Sequence, residues 1–261
     1  MYKCFMQAVI LAGGRGTRIS EESLLRPKPL IEIGERPIIW HIMKHYSYHG
    51  INEFIICCGY KGELLKEYFS NFGLYSSDIT IDVGKNKISY FKKKREKWKI
   101  TLIDTGADTQ TGGRLKKVKN YLKKTFCLTY GDGLSDVDIS KSIKFHIANK
   151  KIATITTVQP TGRFGSVKIK NKFVESFLEK PQGDGGWING GFFVLEKKAL
   201  NYIKDNQTIW EQEPLIKLSK ERQLLSFQHK GFWHPMDTIR DKEYLEKLWQ
   251  RPNCPWKKWN A

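Results

Sequence analysis

The chain has 261 residues, with 45 Lys plus Arg against 27 Asp plus Glu and a formal net charge of +18. Its 40% hydrophobic and 13% aromatic content is enough for a full core, which excludes global disorder, and no apolar run approaches the roughly 20 residues of a spanning helix. Met1–Phe5 lacks the long apolar segment of a secretory leader, so a soluble cytoplasmic protein with no membrane contact is expected.

The first apolar run, 6–12, is short, β-rich and ends in Gly13, Gly14, Arg15, Gly16, Thr17 and Arg18. Glycines at the carboxyl end of a strand let backbone N–H groups turn toward phosphate oxygens, and Arg15 and Arg18 offer fixed positive forks. No Lys-Ser or Lys-Thr follows Gly16, and Ile19 stands where a dinucleotide fingerprint has its third glycine. The loop is therefore neither a Walker loop nor a dinucleotide loop. Lys28 lies between Pro27 and Pro29, where the prolines stiffen the backbone and hold a point charge near the same edge.

A helix is expected at about 37–49. His41, His45 and His49 recur along it, but no carboxylate or cysteine accompanies them and a core role is preferred to a metal site. Strands follow at 53–58, 126–130, 153–158 and 191–195, each bounded by Gly, Asp or Pro as in strands covered on both faces. Helical patterns at about 61–70, 113–123, 140–149, 197–204, 211–220 and 241–250 alternate with them, so the fold class is α/β with a doubly wound sheet. Five cysteines form no C-x-x-C pair, and neither zinc nor a disulfide framework is signalled.

Residues 78–105 break this rhythm. Ile79, Ile81 and Val83, then Ile88 and Tyr90, alternate with polar residues around Gly84–Lys87, which predicts a protruding β-hairpin running to a charged arm at Lys92–Arg95. A second antiparallel pair is expected at 164–178. Asp132 ends the 126–130 strand and Asp237 follows His234-Pro235-Met236. The two carboxylates are hard ligands able to converge on one Mg²⁺, although each alone also reads as a turn cap. Trp210-Glu211-Gln212-Glu213-Pro214 reads as an acidic helix start with a role at a neighbouring site left open. The tail from Arg251 is not helical, with Trp256 and Trp259 expected to pack back onto the body. No linker or repeat divides the chain, so 1–261 is expected to be a single domain.

Residues 11–18 followed by Pro27-Lys28-Pro29 resemble the signature of the sugar-1-phosphate nucleotidyltransferases. Further matches lie at 40–43, 56–62, 104–106, 111–114, 129–133, 162–165, 179–181, 188–194 and 235–238, and these resemble the branch that uses CTP and glucose 1-phosphate. The resemblance spans residues 6 to about 259 and implies a Rossmann-like three-layer α/β/α fold with a mostly parallel mixed sheet. It also implies CTP plus glucose 1-phosphate giving CDP-glucose and pyrophosphate, with Mg²⁺ held by Asp132 and Asp237, on a route to dideoxyhexoses of surface polysaccharide such as O-antigen.

By the same resemblance Arg18, Lys28 and Asp132 are catalytic. Leu11, Ala12, Gly13, Gly14, Arg15, Gly16, Thr17, Thr109, Arg114 and Gly131 join Arg18 and Lys28 around the nucleotide. Tyr130, Gly165, Glu179, Lys180, Asn189 and Gly191 serve the sugar phosphate, and the resemblance together with the 78–105 arm implies a homo-oligomer, with a hexamer as one form the resemblance suggests. Composition alone reads Arg114 as a surface charge at a helix start. Two rivals stand beside this reading: a sister transferase with another nucleotide or acceptor, and a basic nucleic-acid-binding protein supported only by the net charge. The lysines at 85–99 and 116–124 are expected to lack interleaved exposed aromatics and carry no nucleic-acid-binding signature, which favours a solvated surface and no nucleic-acid partner.

Overall fold

The computed structural model describes residues 6–16, 19–91, 96–160, 166–178 and 186–259. In chain order the first elements are β1 (Ala8–Leu11), α1 (Ser20–Ser23), β2 (Glu32–Ile33), β3 (Arg36–Pro37), α2 (Ile38–Tyr48), β4 (Glu53–Cys58), α3 (Gly62–Ser70) and α4 (Phe72–Ser76). The middle comprises β5 (Ile79–Asp82), β6 (Lys87–Tyr90), β7 (Lys99–Asp104), α5 (Thr111–Lys117), β8 (Thr125–Tyr130), β9 (Gly133–Ser135), α6 (Ile139–Asn149) and β10 (Ala153–Val158). The remainder is β11 (Ser166–Lys170), β12 (Phe173–Leu178), β13 (Ile188–Glu196), α7 (Glu213–Lys220), β14 (Leu224–His229), β15 (Trp233–Pro235) and α8 (Ile239–Trp249).

A seven-stranded sheet runs in the order β14-β10-β13-β8-β1-β4-β7. β13 is antiparallel to both its neighbours, while the other pairs are parallel. Successive side chains of a strand point to opposite faces, and the core divides accordingly. Ala8, Ile10, Phe54, Ile56 and Cys58 pack with α2, α6 and α8 on one face. Val9, Leu11, Ile55, Cys57, Phe126 and Leu128 pack with Leu115, Leu200, Trp210 and Leu218 on the other. The result is the α/β class with three layers and a mostly parallel mixed sheet.

The expected strands and the helices at 37–49, 61–70, 140–149, 211–220 and 241–250 are present with small shifts at their ends. Other boundaries differ. The 113–123 helix stops at Lys117 and continues as a 3-10 turn over Lys119–Tyr121, and 197–204 forms a 3-10 helix over Lys197–Tyr202. The 78–105 segment is not one hairpin. β5 and β6 pair antiparallel from Ile79↔Tyr90 to Asp82↔Lys87, whereas β7 leaves the arm and joins the central sheet parallel to β4. Ile100 and Leu102 of β7 pack toward one core and Ile103 toward the other, so burial on the sheet outweighs the charges of Lys97 and Lys99 at its start. The second hairpin, β11 with β12, forms as expected, and Trp256 is fully buried in the non-helical tail. β14 had no counterpart in the sequence reading, because a half-buried edge strand carries a weak periodic signal. Residues 92–95 lie outside the described set.

Both histidines of α2, His41 and His45, point into the core, and His49 follows at its C-terminal cap. His41 Nε2 bonds the Ile33 carbonyl at 2.8 Å and His45 Nε2 the Val137 carbonyl at 2.9 Å. Burial holds their pKa values down to about 4 and about 3, so both rings are neutral donors to backbone. Cys57, Cys58, Cys127 and Cys254 are free and buried; burial raises the pKa of each thiol.

Candidate active site

Parallel pairing of β1 with β8 sets Leu11 opposite Tyr130, and the Gly131 amide donates to the Leu11 carbonyl at 3.1 Å. The two strands therefore release their chains side by side at the carboxyl edge of the sheet, where ligands bind in open α/β folds. One continues into Gly13–Gly16 and the other into Gly131 and Asp132. Gly16 has φ +64°, and a Cβ there would sit 3.3 Å from the Cβ atoms of both Lys28 and Ser23. The glycine turn thus packs directly on the segment that carries Lys28. Pro27, at φ −64°, leads into the 3-10 turn Lys28–Leu30 and starts it at the lysine.

Asp237 reaches the same place from the far end of the chain. β15 pairs with β9, Pro235 opposite Gly133, and the Met236 amide donates to the Asp132 carbonyl at 2.8 Å. The capping box of α8 then pins the next residues: the Thr238 amide donates to Asp241 Oδ2 at 2.8 Å and the Asp241 amide to Thr238 Oγ1 at 3.2 Å, while the Asp237 amide reaches the same Oδ2 at 3.0 Å. Capping and strand pairing together fix Asp237 beside Asp132.

Lys28 Nζ sits between the two carboxylates, 2.8 Å from Asp132 Oδ2 and 2.7 Å from Asp237 Oδ1. Burial opposes its charge, but the Asp132 charge and the bonds to both aspartates outweigh it, and the pKa of Lys28 is raised. Two hard oxygen ligands thus converge on a point that already holds a cation. That donor set fits Mg²⁺, which is bound by one or two carboxylates with waters and substrate phosphates completing its shell. Among the described residues no group of three or more His, Cys, Asp or Glu side chains forms a self-sufficient metal site.

A cavity of about 350 Å³ opens over this edge, lined by Leu11, Ala12, Gly13, Gly14, Gly16, Lys28, Thr109, Arg114, Tyr130, Gly131, Asp132 and Asp237. Pro29, Gln110 and Thr111 complete it; none of these three was among the expected site residues. A second cavity of about 260 Å³ is lined by Tyr130, Asn189 and Gly191 with Thr129, Gly190 and Trp233. Asp132, Asp237 and Tyr130 line both, so they form the wall between them. Trp233 was missed because an aromatic on a short strand carries no motif; its Nε1 donates to the Gly190 carbonyl at 2.7 Å.

Arg114 is not the surface charge that composition favours. It is 4% exposed and lies under the glycine loop, with one terminal nitrogen bonded to Thr105 Oγ1 and Gly106 O at 2.7 Å and Cys58 O at 3.2 Å, the other to Gly13 O at 2.9 Å and Ala107 O at 3.0 Å. It ties together the ends of β1, β4 and β7. Thr109 Oγ1 accepts from Lys117 Nζ at 3.2 Å. Arg15 is exposed and pairs with Asp108 at 2.9 Å, outside the cavity lining. Thr17, Arg18, Gly165, Glu179 and Lys180 lie outside the described residues.

The family model for nucleotidyl transferases matches residues 7–240. The chain is 54% identical over 256 residues to a glucose-1-phosphate cytidylyltransferase of Salmonella typhimurium, covering 97% of this chain and 100% of that one. It is 43% identical to a probable glucose-1-phosphate cytidylyltransferase of Bacillus subtilis with the same coverage. Among solved structures, a putative glucose-1-phosphate thymidylyltransferase of Bacillus anthracis superposes with a TM-score of 0.70 at 18% identity, covering 98% of this chain and 97% of its own, a likeness of fold. The glycine turn and the paired aspartates therefore sit in a chain that belongs to the nucleotidyl transferase family.

Proposed function

We propose that the protein joins CTP and glucose 1-phosphate into CDP-glucose and pyrophosphate, with residues 1–261 acting as one transferase domain. The observation that carries this reading is the meeting of Lys28, which lines the larger cavity, with Asp132 and Asp237 on the wall shared by two cavities. A nucleotide on one side and a sugar phosphate on the other would meet there. The high identity to glucose-1-phosphate cytidylyltransferases over nearly the whole chain supports the choice of CTP and glucose.

An oxygen of the sugar phosphate attacks the α-phosphorus of CTP; the new P–O bond forms as the bond to the bridging oxygen breaks, and pyrophosphate carries away the electron pair. A phosphate monoester is already an anion at neutral pH, so no protein nucleophile is required. The protein must hold two anions in line and offset their repulsion. Amides of Gly13–Gly16 and the Arg18 charge receive the triphosphate, and Lys28 faces the charge that develops at the α-phosphate. Tyr130, Asn189 and Gly191 with Gly165, Glu179 and Lys180 orient the sugar phosphate, while Thr109 and Arg114 lie on the base side. Asp132 and Asp237 would hold Mg²⁺, which neutralises phosphate charge and aligns the reacting groups.

The same reading places the enzyme in the cytoplasm, where its product would enter dideoxyhexose synthesis for O-antigen. It also makes the enzyme a homo-oligomer, as the exposed apolar side chains Ile81, Val83, Ile88 and Tyr90 on the β5–β6 hairpin favour. Among the described residues no helix is long and apolar enough to cross a membrane.

Pyrophosphate release with Mg²⁺, glucose 1-phosphate and each of CTP, UTP, dTTP and GTP tests the assignment. CTP is expected to be used best; equal or better turnover with another nucleotide overturns it. Asp132→Asn, which keeps the side-chain volume, should lower turnover at least about 100-fold with the circular dichroism unchanged. Near-normal turnover would remove Asp132 from the site.

A further inference from the structure

Glu211 lines neither cavity, yet its carboxylate is bonded to both. It stands in the turn before α7, next to the fully buried Trp210. Thr111 Oγ1 donates to Glu211 Oε2 at 2.6 Å, and the Tyr130 hydroxyl donates to Glu211 Oε1. Thr111 opens α5 and lines the larger cavity; Tyr130 is part of the wall between the two. The chain of bonds continues on the far side. Asn189 Nδ2 donates to the Tyr130 hydroxyl at 3.1 Å, and Asn189 Oδ1 accepts the Gly191 amide at 2.8 Å. An unbroken line of hydrogen bonds therefore runs from the nucleotide side, through Glu211 and Tyr130, to the residues that line the sugar side.

The donor count explains why this position needs a carboxylate. The Thr111 hydroxyl already accepts the Trp210 amide at 2.9 Å and the Tyr130 hydroxyl already accepts from Asn189, so each has its single proton left to give. Both protons point at Glu211. A carboxylate has two acceptor oxygens and no donor; glutamine offers one acceptor and one donor, and one of the two bonds would be lost.

We propose that Glu211 is a positioning residue that couples the two cavities. It fixes Tyr130 and the start of α5 relative to each other, so that filling the nucleotide side prepares the sugar side. This rests on the proposed reaction for the identity of the two ligands, but not for the coupling itself. A carboxylate that served only to stabilise the α7 turn would alter unfolding without altering how one ligand senses the other.

The test compares wild type with Glu211→Gln, using the nucleotide and sugar phosphate that wild type turns over best. The readouts are kcat, the KM for each substrate, and sugar-phosphate affinity with and without a non-hydrolysable analogue of that nucleotide. In wild type the analogue should tighten sugar-phosphate binding. Glu211→Gln should raise both KM values roughly tenfold, the scale of one hydrogen bond to a charged group, and bring the ratio of the two affinities toward 1. Tyr130→Phe should reduce the same ratio, and the double variant should fall no further than Glu211→Gln alone, because both break one chain. Should Glu211→Gln not fold, Thr111→Val and Tyr130→Phe break the chain on either side of it, and each should lower the ratio. An unchanged ratio in the folded variants, or a rise in one KM only, overturns the proposal. If the preferred pair is not CTP and glucose 1-phosphate, the substrate assignment fails while the coupling measurement still decides for or against Glu211.

Discussion

Beneath the glycine turn, Arg114 sets the size of the residues above it. A Cβ on Gly13 or on Gly59 would fall 2.2 Å from an Arg114 terminal nitrogen, so neither position admits a side chain while the guanidinium stays bonded to the strand ends. Gly13→Ala should therefore cost about 1–3 kcal/mol of stability, the usual range for overpacking, read as a lower urea midpoint. It should also weaken nucleotide binding, because the turn cannot keep its place. Unchanged stability would mean that the arginine has a second resting position. The sequence showed a glycine loop and an arginine about a hundred positions later; that one is packed under the other depends on β1, β4 and β7 lying side by side, which no local pattern records. Lys28 is the opposite case. Two prolines and a nearby glycine turn marked it in the sequence, and it stands at the centre of the site.

Among the elements, the β5–β6 hairpin is one that the described residues leave uncovered. Ile81 is 56% and Ile88 44% exposed, directly opposite each other on paired strands, and exposed apolar strands tend to pair or to be covered. If this arm is the subunit contact, Ile81→Lys with Ile88→Lys should lower the mass measured by light scattering to that of a smaller assembly, with the far-UV spectrum unchanged. An unchanged mass would place the contact elsewhere. The alternation of apolar and polar residues made this hairpin legible, because an antiparallel pair is local and its turn lies between the arms. The same logic failed for β7, whose partner β4 lies well upstream. A parallel pair leaves no turn signal, so in sequence the strand is indistinguishable from a continuation of the arm beside it.

For the molecule as a whole, the buried histidines make stability depend on pH. Below the ordinary value of 6.5 the unfolded chain takes up protons that the folded rings, held to about 4 at His41 and about 3 at His45, refuse. Stability should therefore fall as pH drops through 6.5, by up to about 1.4 kcal/mol per pH unit for each histidine, and continue falling until the folded values are reached. Urea midpoints at pH 7.5, 6.0 and 5.0 check this before carboxylate titration intervenes. His45→Gln, which keeps a donor for the Val137 carbonyl, should lower the slope by up to about 1.4 kcal/mol per pH unit and leave the share of His41 and of buried His146, whose pKa burial also lowers; an unaltered slope would shift the cause to other groups.

Periodicity and composition determined the α/β class and most of the strands and helices, since those follow from short-range burial patterns. The glycine turn, Lys28 and the two aspartates were visible as residues of the right chemistry at strand ends. Only the tertiary structure decided that Asp132 and Asp237, on the wall between two cavities, both bond one lysine, that Arg114 lies beneath the loop, and that Glu211 ties Thr111 to Tyr130. Those relations join positions far apart in the chain, and they exist only once pairing of β9 with β15 and of β1 with β8 has brought the loops to one edge of the sheet.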